Sequence, residues 1–339
     1  MNTPTPSRIS AVHPLWAVEG GRVTIAGAGF LAGDELPEVR IGTLPARVSA
    51  ASDQTLTVIV PEGLDGGRTP VRISTAPGET AYIDVGAPIA TGLHQVDNPA
   101  FDREGNLYVT FSGSRGQQAP VAIYIVRRDG TREPFVSDLP NPTSLAFGPD
   151  NYLYVSSRFD GSVHRVSPDG SVTTMATDLG VACGIAFGRD GRLYVGDRSG
   201  SILIVHDGQV TPFAEIPPSV AAFHLAFGPG ENLYVAAPTL SSHDVVYRVT
   251  PNGAVEIVAS GFGRPQGLAF DSNGLLYVVD SIAGDAAVFR MSPDRPDERQ
   301  RVMSGGALIG LAFDPLGGAV ISSRDTAYRI EAGVQPFFG

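Results

Sequence analysis

One pattern of apolar and polar residues recurs six times in the last three quarters of the chain: an apolar run ending in Phe, a Gly, Asp or Pro turn, and a strand that in five repeats contains Tyr-Val. The Phe residues stand at 101, 147, 187, 227, 270 and 313. Their spacing of 40 to 46 residues is typical of a four-stranded β-propeller blade. Alternating residues predict third strands at 162–166, 245–249 and 287–291. The pattern predicts a six-bladed propeller over 87–339, with its last strand at 335–338 and no closing strand from 89–93.

The residues before 87 follow a different pattern, in which short alternating strands are separated by Gly and Pro turns. Strands are predicted at 22–26, 39–41, 56–60, 71–73 and 81–85. This is the pattern of a small β-sandwich, here assigned to residues 1–86. The fold class is therefore all-β, with a small sandwich followed by a six-bladed propeller.

Charge and composition exclude several function classes. The net charge is −11 and all 24 basic residues are Arg. A nucleic-acid partner is not expected, because such proteins need a basic face that neutralises phosphates. The absence of Lys excludes a pyridoxal-phosphate anchor and a phosphate-loop lysine. The GAGF sequence at 27–30 lacks the helix of a dinucleotide site, so no nucleotide cofactor is expected.

The apolar stretches are only as long as strands, so neither a membrane span nor a membrane partner is expected. The first ten residues lack the apolar core of a secretory signal. This predicts a cytoplasmic protein, or an extracytoplasmic one if a leader has been trimmed away. Cys183 is the single cysteine, which excludes an intrachain disulfide.

The loops of the propeller can be sorted between its two faces, because successive hairpin turns of a blade alternate in direction. The turn face carries near-interchangeable sequences such as DREG, GRDG and SPDG. The mouth face carries the residues that lead into each inner strand and the loops after each second strand, and these differ between repeats. Loops that vary can recognise an asymmetric ligand, so the mouth face is the predicted site for a small-molecule ligand.

The mouth face supplies three catalytic candidates: Asp97, Cys183 and His224. Candidates for contact with a substrate are Asn98, Arg115, Thr143, Ser157, Arg158, Asp197, Arg198, Phe223, His243, Gln266, Asp280 and Arg324. A thiolate, an imidazole and a carboxylate would suit covalent catalysis, although a lone Cys is more often a small buried apolar residue. The arginines suit a carboxylate or phosphate, unless they pair with Asp160, Asp197, Asp280 and Asp325.

Two family resemblances add to these predictions. The segments ISAVHPLWAVEGGRVTIAGAGF and VRIGTLPARVSAASDQTLTVIVPEGLDGGRTPVRI resemble the IPT/TIG immunoglobulin-like domains, which act as spacers or as binding modules for a protein partner. The repeats, including GLAFDSNGLLYVVDS, resemble the NHL-repeat and gluconolactonase-like (SMP-30/LRE-like) six-bladed propellers over residues 95–339. The second resemblance implies hydrolysis of a lactone or ester at the propeller mouth.

The gluconolactonase-like family also implies a divalent cation, usually calcium, held by a Glu, an Asn and an Asp. At these places the chain has Asp97, Phe223 and Gln266. Asp97 is a conservative replacement and the metal-ligand candidate, whereas Phe cannot ligate a hard cation. Three functions stay open: a gluconolactonase-like hydrolase, a propeller that binds a small molecule or protein without catalysis, and a streptogramin-lyase-like elimination with His224 or His243 as base.

Overall fold

The computed structural model describes residues 7–31, 35–221, 223–282 and 284–337. In this part of the chain nearly all regular structure is β, apart from a 3₁₀ turn at Pro229–Glu231. The N-terminal strands are β1 (Arg8–His13), β2 (Trp16–Ala17), β3 (Arg22–Ala28), β4 (Val39–Ile41), β5 (Leu44–Ala51), β6 (Thr55–Ile59), β7 (Gly67–Ile73) and β8 (Ala81–Val85). The five predicted strands correspond to β3, β4, β6, β7 and β8.

The N-terminal unit has a hydrophobic core of its own. Along β4 and β6, buried positions alternate with more exposed ones, because successive side chains of a strand point to opposite faces. The buried positions, among them Ile25, Leu56 and Ile83, pack together in one cluster. The sandwich therefore follows from the alternating pattern of the sequence.

Each of the six Phe repeats contributes to one four-stranded unit, and the units are numbered here as blades in chain order. Blades 1 to 3 are β10 (Ala100–Phe101), β11 (Leu107–Thr110), β12 (Ile123–Val126) and β13 (Arg132–Val136); β14 (Pro142–Phe147), β15 (Leu153–Ser157), β16 (Ser162–Val166) and β17 (Val172–Ala176); and β18 (Ala182–Phe187), β19 (Leu193–Asp197), β20 (Ser201–His206) and β21 (Gln209–Glu215). Blades 4 and 5 are β22 (His224–Phe227), β23 (Leu233–Ala236), β24 (Asp244–Val249) and β25 (Val255–Phe262); and β26 (Pro265–Phe270), β27 (Leu276–Asp280), β28 (Ala286–Ser292) and β29 (Arg295–Gly305). Blade 6 combines β30 (Leu308–Phe313), β31 (Ala319–Ser323) and β32 (Ala327–Ile330) with β9 (Ala87–Ala90), which precedes blade 1 in the chain.

The repeated Tyr and Phe residues join adjacent blades. Tyr108 packs edge-on against Phe147 of the next blade, with ring centroids 5.1 Å apart. Four further Tyr–Phe pairs follow at the next interfaces, at 4.7 to 5.0 Å. Each such pair contributes roughly 0.5–1.5 kcal/mol beyond its buried area. In blade 6, Val320 takes the position of the Tyr, so the interface between blades 6 and 1 lacks this contact.

A strand from the start of the propeller closes the ring at that interface. β9 pairs antiparallel with β32 as the outermost strand of blade 6. The prediction that 335–338 forms this strand, with 89–93 uninvolved, is therefore wrong. The C-terminal segment crosses the turn face instead, where the Phe337 backbone N–H donates to the Phe270 carbonyl at 3.0 Å, and Phe338 lies outside the described residues.

The two units are joined by a continuous sheet. The two residues of β2 pair in parallel with β8 of the sandwich on one side and with β29 of blade 5 on the other. The result is a twelve-stranded sheet that runs from the sandwich into the propeller. The domain boundary between 86 and 87 stays a prediction, with β8 ending at Val85 and β9 beginning at Ala87. Across the described ranges, no helix has the length and apolar character needed to span a membrane.

Candidate functional site

A carboxylate and an imidazole from blades on opposite sides of the ring meet at the propeller axis. Asp97, which leads into blade 1, and His224, the first residue of blade 4, are both buried, and His224 Nδ1 lies 2.5 Å from Asp97 Oδ1. An ionised carboxylate only accepts hydrogen bonds, so Nδ1 carries the proton of this contact. The other ring nitrogen, Nε2, is buried and has no hydrogen-bond partner among the described residues. The pair therefore connects opposite blades across the propeller axis and leaves His224 Nε2 available to accept a proton.

Glycines in two other blades allow Asp97 to reach this far. The inner strand of blade 1 has only two residues, so the segment around Asp97 and Asn98 leaves the sheet and packs against blades 5 and 6. A Cβ on Gly310 of blade 6 would lie 2.7 Å from the Asn98 Cα and from the Asp97 carbonyl oxygen, and a Cβ on Gly267 of blade 5 would clash with Asn98 Oδ1. Asn98 holds the segment in place: its Nδ2 donates to the Leu268 carbonyl at 2.9 Å, and its Oδ1 accepts from the Leu311 N–H at 3.0 Å. Asn98 therefore positions Asp97.

Phe223 and His224 are neighbours in the chain but lie in different surroundings. Phe223 is fully buried in a hydrophobic cluster that also contains Cys183 and Tyr194. It packs closely on Gly196, where a Cβ would lie 2.7 Å from the Phe223 ring. The structure therefore places Phe223 in the packing between blades 3 and 4 and His224 beside Asp97.

The Cys183 thiol is close to this pair but chemically unsuited to act as a nucleophile. Burial, as the largest cause, raises its pKa to about 12. Burial outweighs the lowering of the pKa by a hydrogen bond with the Phe223 backbone and by the charges of Arg198 and Arg158, and the negative charge of Asp97 raises the pKa by a smaller amount. The thiolate is the reactive form of cysteine, and at neutral pH this thiol is protonated.

Replacement of Cys183 by alanine is expected to leave ligand binding or turnover at the mouth face within about threefold of wild type, because a protonated thiol is not the reactive form of cysteine. Wild-type protein is also expected to resist iodoacetamide at pH 7–8, since its thiol keeps its proton until the pH approaches about 12. Rates and mass spectra of treated protein test both statements. Inactivation with a stoichiometric adduct on Cys183 would contradict them.

Arg158 and Arg198 occupy equivalent positions after the second strands of blades 2 and 3. Arg158 Nη2 donates to the Gly113 carbonyl at 2.9 Å, and Arg198 Nη2 donates to the Val220 carbonyl at 3.2 Å. Both Nε atoms are buried without a partner among the described residues. Desolvation lowers the pKa of Arg158, and the positive charges of Arg198 and Arg115 lower it further against the opposing effect of Cys183.

The aspartates that might have neutralised these arginines accept hydrogen bonds from nearby backbone N–H or hydroxyl groups instead. Asp197 Oδ1 accepts from the Val181 N–H at 2.7 Å, and Asp280 accepts from the N–H groups of Arg264 at 2.7 Å and Gly263 at 3.1 Å. In the same way, Asp160 accepts from the Ser162 hydroxyl at 2.6 Å. No Asp or Glu of the described ranges lies within 4.0 Å of the Arg158 or Arg198 guanidinium.

The remaining candidates are spread over the mouth face. Thr143 and Ser157 are buried and donate to the backbone carbonyls of Asn141 at 3.1 Å and Pro140 at 2.7 Å. Gln266 is buried, whereas Arg115, Arg324 and His243 are exposed. His243 Nδ1 lies 3.0 Å from its neighbour Ser242, away from the Asp97–His224 pair.

Two residues of the mouth face, Asn141 and His94, were not among the candidates selected from the sequence. Asn141 is buried and organises the loop that carries Arg115, donating to the Ser114 carbonyl at 2.7 Å and accepting from the Gly116 N–H at 2.6 Å. His94 has a buried Nδ1 without a partner in the described part of the chain, and its pKa is lowered by burial first and then by the charges of Arg324 and Arg158. Asn141 precedes an inner strand, as Asp97 does. This position is the sequence feature that could have identified Asn141 as a residue of the mouth face.

A cavity of about 830 Å³ opens on the turn face rather than at the mouth. Phe101, Phe147, Phe187 and Phe227 line it, together with Phe337 from the C-terminal segment. Its one clear carboxylate network belongs to a turn: Asp102 Oδ1 accepts from the N–H groups of Glu104 at 2.9 Å and Asn106 at 2.8 Å. The cavity is thus part of the Phe-lined scaffold, and the unpartnered nitrogens lie on the mouth face.

The residues present do not fit the cation of gluconolactonase-like propellers. Phe223 occupies one of the three ligand positions and is packed in the core, while Asp97 Oδ1 is engaged by His224 and by the Asn98 N–H at 2.7 Å. In the ranges that the structure describes, no three His, Cys, Asp or Glu side chains are grouped so as to hold a metal ion. We therefore derive no chemistry through a cation.

Two family models match the chain. The model described as SMP-30/Gluconolactonase/LRE-like region matches residues 159–324, and the model of the IPT/TIG domain matches residues 6–84. These matches confirm the resemblance to the IPT/TIG domains and, over residues 159–324, the resemblance to the gluconolactonase-like (SMP-30/LRE-like) propellers. The resemblance to NHL repeats stays a prediction. No curated protein matches the chain in sequence.

Similar solved structures share the fold at low sequence identity. A gluconolactonase from Xanthomonas campestris is 15% identical with a TM-score of 0.60, covering 88% of this chain and 97% of its own. An auxiliary nutrient binding protein from Bacteroides thetaiotaomicron is 14% identical with a TM-score of 0.56, covering 96% and 97%. Virginiamycin B lyase from Staphylococcus aureus is 15% identical with a TM-score of 0.53, covering 91% and 98%. These likenesses concern the fold.

Proposed function

We propose that this propeller hydrolyses a small lactone or ester, with Asp97 and His224 as a general-base pair that needs no metal ion. One observation carries the proposal: Asp97 holds Nδ1 of the imidazole at 2.5 Å, and Nε2 is left without a partner among the described residues. This is the arrangement in which a carboxylate fixes the histidine tautomer and the second nitrogen accepts a proton. The match to the SMP-30/gluconolactonase region supports the substrate class.

The proposed reaction transfers one proton twice. His224 Nε2 removes a proton from a water molecule, and the water oxygen attacks the carbonyl carbon of the lactone or ester. When the tetrahedral adduct collapses, the carbon–oxygen bond to the leaving group breaks, and the imidazolium returns the proton to the leaving oxygen. Asp97 keeps the ring oriented and stabilises its charged form. Because His224 is fully buried, this reaction requires an opening of the mouth loops that admits the carbonyl.

The experiment is a lactone and aryl-ester panel measured with and without EDTA, for the wild-type chain and for His224→Gln. We expect turnover that survives EDTA and is lost in His224→Gln. His206→Gln is the matched control, because His206 is an exposed histidine of blade 3 beside Asp207. Turnover that EDTA abolishes and added Ca²⁺ restores would contradict a metal-free mechanism.

Binding without catalysis is the second candidate, and the complete burial of His224 favours it. A propeller joined to a sandwich through a continuous sheet suits recognition, and the similarity to the nutrient binding protein covers nearly the whole chain. Ligand binding by calorimetry, with no turnover over the whole panel, would support this function. Elimination of the streptogramin-lyase type has weaker support, since the exposed His243 lies apart from Asp97 and His224.

A further inference from the structure

Among the described residues, the mouth face groups arginines that form no ion pair with a carboxylate within 4.0 Å. Arg158 lies close enough to Arg198 and Arg115 for their charges to lower its pKa, in addition to the effect of desolvation. His94 is affected in the same way, after burial, by Arg324 and Arg158. Like charges at short range disfavour each other's charged state. The chain has a net charge of −11, so carboxylates outnumber arginines. The arginines of the mouth face nevertheless form no ion pair among the described residues.

The arginines are held in place without being neutralised. Each makes one hydrogen bond to a backbone carbonyl, Arg158 to Gly113 and Arg198 to Val220. The candidate partner Asp197 is engaged by the Val181 N–H. Both guanidinium groups keep an unpartnered Nε among the described residues. A guanidinium with free donors and a fixed position is suited to binding an oxyanion through paired hydrogen bonds.

Exposed apolar side chains lie on the same loop as Arg158 and on two loops next to Arg198. Phe159 follows Arg158 and is 48% exposed, Val220 provides the carbonyl that holds Arg198 and is 43% exposed, and Leu240 is 90% exposed on the adjacent loop of blade 4. Val220 N–H donates to the Pro238 carbonyl at 3.0 Å, which connects these two loops. Charged and apolar groups are therefore available to one ligand.

We propose that Arg158 and Arg198 bind the carboxylate or phosphate group of a small ligand whose apolar part contacts Phe159 and Val220. This inference deepens the proposed function and rests on it in one respect: if the protein is a hydrolase, its substrate class is an ester or lactone that carries an anionic group. The binding step itself requires no catalysis.

The test is calorimetric titration of the full-length protein with phenyl phosphate, phenylacetate and inorganic phosphate, with benzyl alcohol as an uncharged probe. We expect the aromatic anions to bind and benzyl alcohol not to bind. Arg158→Met and Arg198→Met are each expected to weaken binding by roughly tenfold or more, the loss of charged hydrogen bonds. Arg127→Met, which removes an exposed arginine paired with Glu133 on the turn face, is expected to leave affinity unchanged.

The two aromatic anions separate a carboxylate from a phosphate ligand, and a melting curve of each variant shows that it is folded. Affinity should also fall as salt rises, because the interaction is ionic. Absence of binding of any anion up to about 10 mM, or unchanged affinity in the folded double variant, would overturn the inference. If His224→Gln binds the anions and neither the wild type nor any variant shows turnover, the anion site is supported and the hydrolase is rejected. If neutral esters are hydrolysed and no anion binds, the hydrolase is supported and the anion site is rejected.

Discussion

Replacement of Asp97 by asparagine is expected to lower kcat by roughly 10²- to 10⁴-fold with KM changed by less than about threefold. Asparagine has nearly the same shape as aspartate, but its amide can donate to Nδ1 and so favour the tautomer that places the proton on Nε2. It also removes the negative charge that stabilises the imidazolium. The base would then be present in the site but in the wrong form.

The split between kcat and KM distinguishes this role from a structural one. A buried pair that only supported the fold would change the melting temperature and the active fraction of protein, and leave kcat per active site unchanged. Asp150→Asn is the matched control, because Asp150 forms an ion pair with Arg165 at 2.9 Å on the turn face. Steady-state kinetics on both variants, normalised by active protein, decide the question, and an unaltered kcat in Asp97→Asn would remove the pair from the mechanism.

Replacement of Ala90 by aspartate is expected to destabilise the propeller by about 3–5 kcal/mol, or roughly 10 °C in melting temperature. Ala90 is a buried residue of β9 that pairs with Ala327. It belongs to a cluster with Leu107, Val109 and Val320 at the interface of blades 6 and 1. A carboxylate there would be buried without a partner at the interface that lacks the Tyr–Phe contact.

Ala50→Asp is the matched control, because Ala50 is an exposed residue of β5, and its melting temperature should change by less than about 2 °C. Deletion of residues 333–339 tests the alternative closure. If the C-terminal segment closed blade 6, this deletion would be the more damaging change and Ala90→Asp would be mild. Thermal denaturation of the three variants separates the two topologies, and we expect Ala90→Asp to show the largest loss.

The site was predictable in part. Asp97, Cys183 and His224 were selected because they lead into inner strands, and the structure brings Asp97 and His224 into contact. Phe223 was selected by the same rule but packs against Gly196 in the core. Adjacent residues of an extended chain point in opposite directions, so a shift of one residue separates a site residue from a core residue. Sequence spacing alone does not resolve that shift.

Whether the arginines of the mouth face pair with aspartates or stay available to a ligand depends on distances that the sequence does not give. Asp197 and Asp280 are the last residues of their second strands, and Arg158 and Arg324 come directly after theirs. Ion pairs and a ligand site were therefore both compatible with the sequence. In the folded chain the aspartates accept from nearby backbone N–H groups instead. Which partner an aspartate takes is decided by loop geometry at the scale of a few ångströms.

The sequence by itself determined the two-unit all-β architecture, the order of the repeats and the face that holds the variable loops, because strand alternation, turn residues and the Tyr–Phe spacing are local patterns. Only the tertiary structure decided that β9 closes blade 6, that β2 links the sandwich to blade 5, and that Asp97 meets His224 across the axis. These contacts join residues that are far apart in the chain, some of them by more than two hundred positions. They arise from which edges and side chains the closed ring brings together, and no local pattern encodes that.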